Sequence, residues 1–276
     1  MKLSDMKTIL ARGEIRLTKS LGQNFLHDQN QLRKIVAAAE LDSQDKVLEI
    51  GPGLGPLTEL LVAQASEVLA IEKDQRLFDF LQQKFSGAKN LEIMHADALE
   101  IVKTRREWAG WKLVANLPYS VASPILVELA QAENPPQGVV ATLQIEVAQR
   151  IAAKAGEDDF GILSLLLQLR YEPHGWFKIP ASCFFPAPDV DSACITLVRR
   201  AQPLLAREQE KIFTKIVKRA FSQRRKMMFK LLKADWPVEK LERAFTELRI
   251  SPQERAEKLS LEQFTAFTTF LTTKIE

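Results

Sequence analysis

Cysteine is nearly absent from this chain, and long apolar runs are missing altogether. Its 276 residues hold two cysteines, Cys183 and Cys194, beside 11 glycines and 13 prolines. Thiols so placed lack the paired spacing of a zinc site, so they read as packing residues and no metal is expected. The apolar stretch 113–130 is interrupted by Asn116, Pro118, Ser120, Ser123, Pro124 and Glu128, which excludes a membrane span of about 20 residues. The first ten residues carry scattered lysines and no apolar core of a secretory signal, so a cytoplasmic protein is expected. There is no internal repeat and no low-complexity segment. With 46% hydrophobic and 26% charged residues, the composition is that of a globular protein, monomeric by default.

Charge is small in sum, +3, but uneven in place. Residues 211–233 include Lys211, Lys215, Lys218, Arg219, Arg224, Arg225, Lys226, Lys230 and Lys233, and no acid. Such a concentrated basic element points to a polyanionic partner.

From Asp45 onward, short β-branched or leucine-rich runs at 46–50, 67–71, 91–94, 112–115 and 138–145 alternate with helical patterns. That alternation predicts a doubly wound α/β sheet. Two further strand-like runs, 165–171 and 192–198, joined by the proline-rich segment 179–189, predict a hairpin at one sheet edge. Beyond Arg200 the apolar spacing is helical, so the expected organisation is an α/β domain over 1–202 and a small all-helical domain over 203–276.

The run Val47-Leu48-Glu49-Ile50-Gly51-Pro52-Gly53-Leu54-Gly55 reads as a buried strand feeding a glycine turn at a helix start, where backbone can approach a ligand closely. Pro56 stands where a dinucleotide fingerprint would require its third glycine, which disfavours a nicotinamide cofactor. Glu72 and Asp97 end the next two strand units. Acids at strand ends converge on one crevice in such a sheet, Glu72 suited to ribose hydroxyls and Asp97 to an adenine amino group.

After the fourth strand comes Asn116-Leu117-Pro118-Tyr119. An adenine amino nitrogen is a poor nucleophile because its lone pair is delocalised into the ring. Acceptors placed at that nitrogen, the Asn116 side-chain oxygen and the Leu117 carbonyl, would localise the lone pair and aim it at a sulfonium methyl group. Pro118 constrains Leu117 toward an extended conformation, and Tyr119 offers a stacking face for a base drawn out of its stack.

With these motifs the sequence resembles, nearly end to end, the small-subunit ribosomal RNA adenine dimethyltransferases of the KsgA/RsmA type. The resemblance implies a Rossmann-like class I methyltransferase sheet, S-adenosyl-L-methionine as cofactor, and dimethylation of two adjacent adenines in a 3′-terminal hairpin of 16S rRNA within the assembling small subunit. Ser20-Leu21-Gly22-Gln23-Asn24-Phe25-Leu26 resembles the family's N-terminal signature, which assigns Asn24 and Leu26 to the cofactor. Gly51, Gly53, Glu72, Asp97 and Asn116 join them. Phe184-Phe185-Pro186-Ala187-Pro188-Asp189-Val190-Asp191-Ser192 is similar to a family run whose leading Phe stacks on the target base, a role carried to Phe184. Ala220-Phe221-Ser222-Gln223-Arg224-Arg225-Lys226 resembles an RNA-contacting helix. Ile145 and Asp189 depart from basic residues usual in the family, and Met227-Met228-Phe229-Lys230 is less polar than the usual continuation. Two alternatives stand beside this reading: a large-subunit methyltransferase of the macrolide-resistance type, and a ribosome-assembly factor whose methylation is secondary. A DNA adenine methyltransferase is disfavoured by Leu117, where a second Pro is usual.

Overall fold

A computed structural model describes residues 3–11, 23–223 and 225–273. The chain divides into two compact units, Met1–Ala148 with Tyr171–Arg199, and Gln149–Arg170 with Arg200–Glu276. The expected junction at 202–203 falls close to the last of three crossings between units, at 199–200, whereas the excursion at 149–170 was not expected.

The first unit is built on β2 (Lys46–Ile50), β3 (Glu67–Glu72), β4 (Leu91–His95), β5 (Trp111–Asn116), β6 (Gly138–Gln144), β7 (Tyr171–Ile179) and β9 (Ser192–Arg199), in the order β4-β3-β2-β5-β6-β9-β7. The pairings among β2 to β6 are parallel; β9 lies antiparallel to both β6 and β7. Central strands β2, β3 and β5 are buried almost throughout, while edge strands β4 and β7 are largely exposed or half-buried. Continuous apolar runs suit the interior of a parallel sheet and polar residues suit its edges. Strand order reverses between β2 and β5, and at such a switch point a crevice opens beyond the carboxyl ends of the strands. Those ends are Ile50, Glu72, His95 and Asn116.

Helices α2 (Gln29–Ala38), α4 (Gln75–Lys84) and α5 (Ala98–Thr104) start on Asp28, Asp74 and Asp97, each accepting backbone N–H groups of the first turn. This is the sequence signal of an N-cap. Also in this unit are α1 (Leu3–Ala11), α3 (Thr58–Val62), α6 (Ala122–Ala130) and the small pair β1 (Phe25–Leu26) and β8 (Phe184–Phe185). Cys194 lies in the core beside Val114 and Val140, and Cys183 packs against the same cluster, so both thiols are packing residues.

Two expectations need correction. The run 165–171 is not a strand: it is mostly α8 (Ile162–Gln168), and β7 begins only at Tyr171. Leu165, Leu166 and Leu167 are all buried, and an apolar run buried all round does not reveal its period. Ile145, placed at the end of a strand, opens α7 (Ile145–Ala152) instead.

In the second unit, α9 (Glu210–Ala220), α10 (Met228–Leu232), α11 (Val238–Glu247) and α12 (Leu261–Thr272) surround an aromatic core. Phe245 meets Phe229 and Phe267 edge-on, and Phe213 and Phe221 contact Phe264. Phe160, from the excursion before α8, packs on Phe221, and Arg170 pairs with Glu210.

Candidate active site

The turn after β2 holds Gly51 at φ +69° and Gly53 at φ +60°, a region closed to most side chains. A Cβ on Gly53 would stand 2.7 Å from the Phe25 ring, and one on Gly51 would lie 3.4 Å from the Pro118 ring. The glycine turn is thus held between the β1 segment and the loop after β5. Side chains at these two positions would press on the Phe25 and Pro118 rings, so only glycine lets the two segments close on the turn.

Four acids stand at or near the carboxyl ends of β2, β3 and β4. Glu72, 6% exposed, accepts the Gly53 N–H at 3.1 Å and the Asp74 N–H at 2.9 Å. Burial raises its pKa against the lowering effect of those donors. Asp74 takes Gln23 Nε2 at 3.1 Å and the Arg76 guanidinium, and that guanidinium draws its pKa down. Asp97 caps α5 through Oδ1 and pairs through Oδ2 with Lys73 Nζ at 2.7 Å, which holds its carboxyl below the usual range. Glu49 is buried and accepts the Thr58 hydroxyl at 2.7 Å. Desolvation pushes it up to about 8, with Glu72 nearby adding to the rise.

The tetrapeptide Asn116-Leu117-Pro118-Tyr119 is tethered at three points. Asn116 Nδ2 donates to the Asn24 carbonyl at 3.1 Å, leaving Oδ1 as the acceptor end of that amide. Leu117 N–H donates to the Thr142 carbonyl at 3.0 Å, and the Tyr119 hydroxyl shares a hydrogen bond with Ser192 Oγ. Asn24 just before β1, the neighbouring strand β6 and the first residue of β9 therefore fix the loop together.

The glycine turn, the tetrapeptide and three of the acids open on one cavity of about 190 Å³, whose walls include Asn24, Leu26, Gly51, Gly53, Glu72, Asp97, Asn116, Leu117, Pro118 and Tyr119. Residues chosen from separate motifs thus meet in one place. Apolar walls with a few convergent polar groups are the usual make-up of a small-molecule site.

The sequence profile of the ribosomal RNA adenine dimethylases matches residues 15–273. The chain belongs to that family. Among its relatives are proteins named ribosomal RNA small subunit methyltransferase A: one from Geobacillus sp. (strain WCH70), 42% identical over 96% of this chain and 95% of its own length, and one from Streptococcus pneumoniae (strain P1031), 39% identical over 96% of each. Among solved structures, a dimethyladenosine transferase from Plasmodium falciparum superposes with a TM-score of 0.75 at 25% identity, covering 88% of this chain and 95% of that one. The 23S rRNA methyltransferase ErmE gives 0.68 at 27% identity, covering 91% and 100%.

Within this rRNA adenine dimethylase three expectations change. Phe184, expected to stack on a base, is 3% exposed and sits in the core with Leu26 and Ile179, and it is not among the cavity's walls. The reason is the β1–β8 register, which sets Phe184 against Leu26 and Phe185 against Phe25; Phe185 is half-buried, with Lys7 Nζ 5.6 Å from its ring centre. The described residues of 221–226 are not helical, since α9 ends at Ala220 and the Ser222 hydroxyl donates to the Arg219 carbonyl. Arg225 and Lys226 are exposed in the following turn, while Arg224 lies outside the described residues, as do Ser20, Leu21 and Gly22. Lastly, Lys215 and Arg219 both pair with Asp235, just beyond the acid-free run. Sequence reasoning gave no role to Glu49, Lys73 or Gln23, all of which line the cavity. An acid inside an otherwise apolar strand was the available signal for Glu49; nothing local marked the other two.

Proposed function

We propose that this family member uses S-adenosylmethionine to dimethylate the exocyclic amino groups of two adjacent adenines in a hairpin near the 3′ end of 16S rRNA, within the assembling small subunit. The cavity's groups fit that cofactor. Glu72 offers carboxylate oxygens to a vicinal diol, Asp97 offers one to an adenine amino group, and the glycine turn leaves backbone open to close approach. Asn24 and Leu26 border the same space. When bound, the cofactor supplies an electrophilic methyl group.

The observation that carries the reading is the orientation of the Asn116 amide, whose nitrogen donates to the Asn24 carbonyl and whose oxygen is an acceptor. With the Leu117 carbonyl it would hold the target amino group and stabilise positive charge growing on that nitrogen. Tyr119 supplies the ring face on which the base rests, a contact of about 1–3 kcal/mol in single-strand binders. Arg225 and Lys226 are suited to phosphates, and loop bases to this kind of extraction. Relatives about 40% identical that are named for the small subunit support the choice of 16S rRNA.

The test is methyl transfer from labelled cofactor to small subunits lacking dimethyladenine, with large subunits and duplex DNA in parallel. Label confined to two adjacent small-subunit adenines is expected. Label on large subunits would favour the second reading, which rests on the likeness to ErmE. Asn116→Ala should lower transfer by about a hundredfold or more. If that variant supports small-subunit assembly as fully as the parent, binding outweighs methylation.

A further inference from the structure

The Tyr119 hydroxyl and Ser192 Oγ lie 2.5 Å apart. Ser192 has 0% exposure and opens β9, where its backbone is paired on one side with Gln144 and on the other with Ile179. The residue before it is fixed as well: Asp191 accepts the Ala181 N–H at 2.9 Å and Lys178 Nζ at 2.6 Å, and its carbonyl takes the Ile145 N–H at 3.1 Å. A serine hydroxyl on so constrained a strand has little freedom, whereas Tyr119 stands half-buried on a short loop at the cavity wall. Asn116 and Leu117 are tied at the near end of that loop, and without Ser192 the ring at its far end could turn about its side-chain torsions.

We infer that Ser192 is a positioning residue for methyl transfer: its hydroxyl anchors the Tyr119 ring at the angle that receives the target base. The inference rests on Tyr119 being the stacking face of the proposed rRNA site.

The experiment is steady-state methylation of small subunits lacking dimethyladenine by Ser192→Ala, Tyr119→Phe, the double variant and Tyr119→Ala, with cofactor Kd and melting temperature measured on each. Ser192→Ala should raise KM for the subunit roughly three- to tenfold, the scale of one intramolecular hydrogen bond, with cofactor Kd within about twofold. Tyr119→Phe should match it, and the double variant should be no worse than either single one. Multiplying effects, an unchanged KM in Ser192→Ala, or a loss that follows melting temperature alone would each overturn the inference. Tyr119→Ala separates the two levels. If it abolishes transfer while Ser192→Ala is silent, only the anchoring fails; if it keeps the parent's KM, the stacking reading fails too.

Discussion

Glu49 is ionised in the unfolded chain at neutral pH and held protonated in the fold, its pKa moving from 4.5 to about 8. A carboxyl raised in this way adds stability that is complete below the lower value and is lost as pH rises through the upper one. Glu49→Gln keeps an acceptor for Thr58 and carries no such penalty. Its stability should therefore exceed the parent's above pH 8 by on the order of a few kcal/mol and approach it near pH 5, read as melting temperature against pH. Identical pH profiles would refute this. Phe184→Ala tests the other buried residue at this scale: removing a core phenylalanine costs about 3–5 kcal/mol, seen as a lower melting point before any effect on RNA. The meeting of Asn116, Glu72 and Asp97 at one cavity was legible from sequence, because polar residues at or just beyond the carboxyl ends of parallel strands face a shared crevice. Glu49 and Phe184 were not. The titration of the first comes from tertiary burial, and the inward face of the second from a two-residue pairing too short to carry a pattern.

Strands announced themselves wherever one run met turn residues on both sides, and β2 coincides with its expected bounds. The α8 segment failed because its leucines are buried on every side. A second element-level difference concerns the basic turn between α9 and α10, read from resemblance as helical. A turn presents Arg225 and Lys226 without the fixed spacing of a helix face, which suits phosphate contact more than base reading. Replacing both by Ala should raise KM for the subunit and flatten its logarithmic dependence on salt by about one unit per lost contact, leaving cofactor Kd unchanged. A parallel salt slope in parent and variant would remove these residues from the RNA interface.

At the scale of the molecule, the chain leaves the sheet-bearing unit after Ala148, returns at Tyr171 and leaves again after Arg199. Composition changes visibly only at the last of these points, which is why the first excursion went unread. The helical unit is therefore discontinuous, and its parts are held by contacts such as Phe160 on Phe221 and Arg170 with Glu210. A chimera with a relative cut once near residue 202 should melt below both parents, while one that also exchanges 149–170 should regain the loss; equal melting points would refute the pairing. Modular exchange in this family is in that sense a two-suture operation. Recombination at a single crossover would hand down the α8 segment with the wrong inheritance, so this stretch should travel with α9 to α12 whenever the helical unit is moved from one enzyme to another.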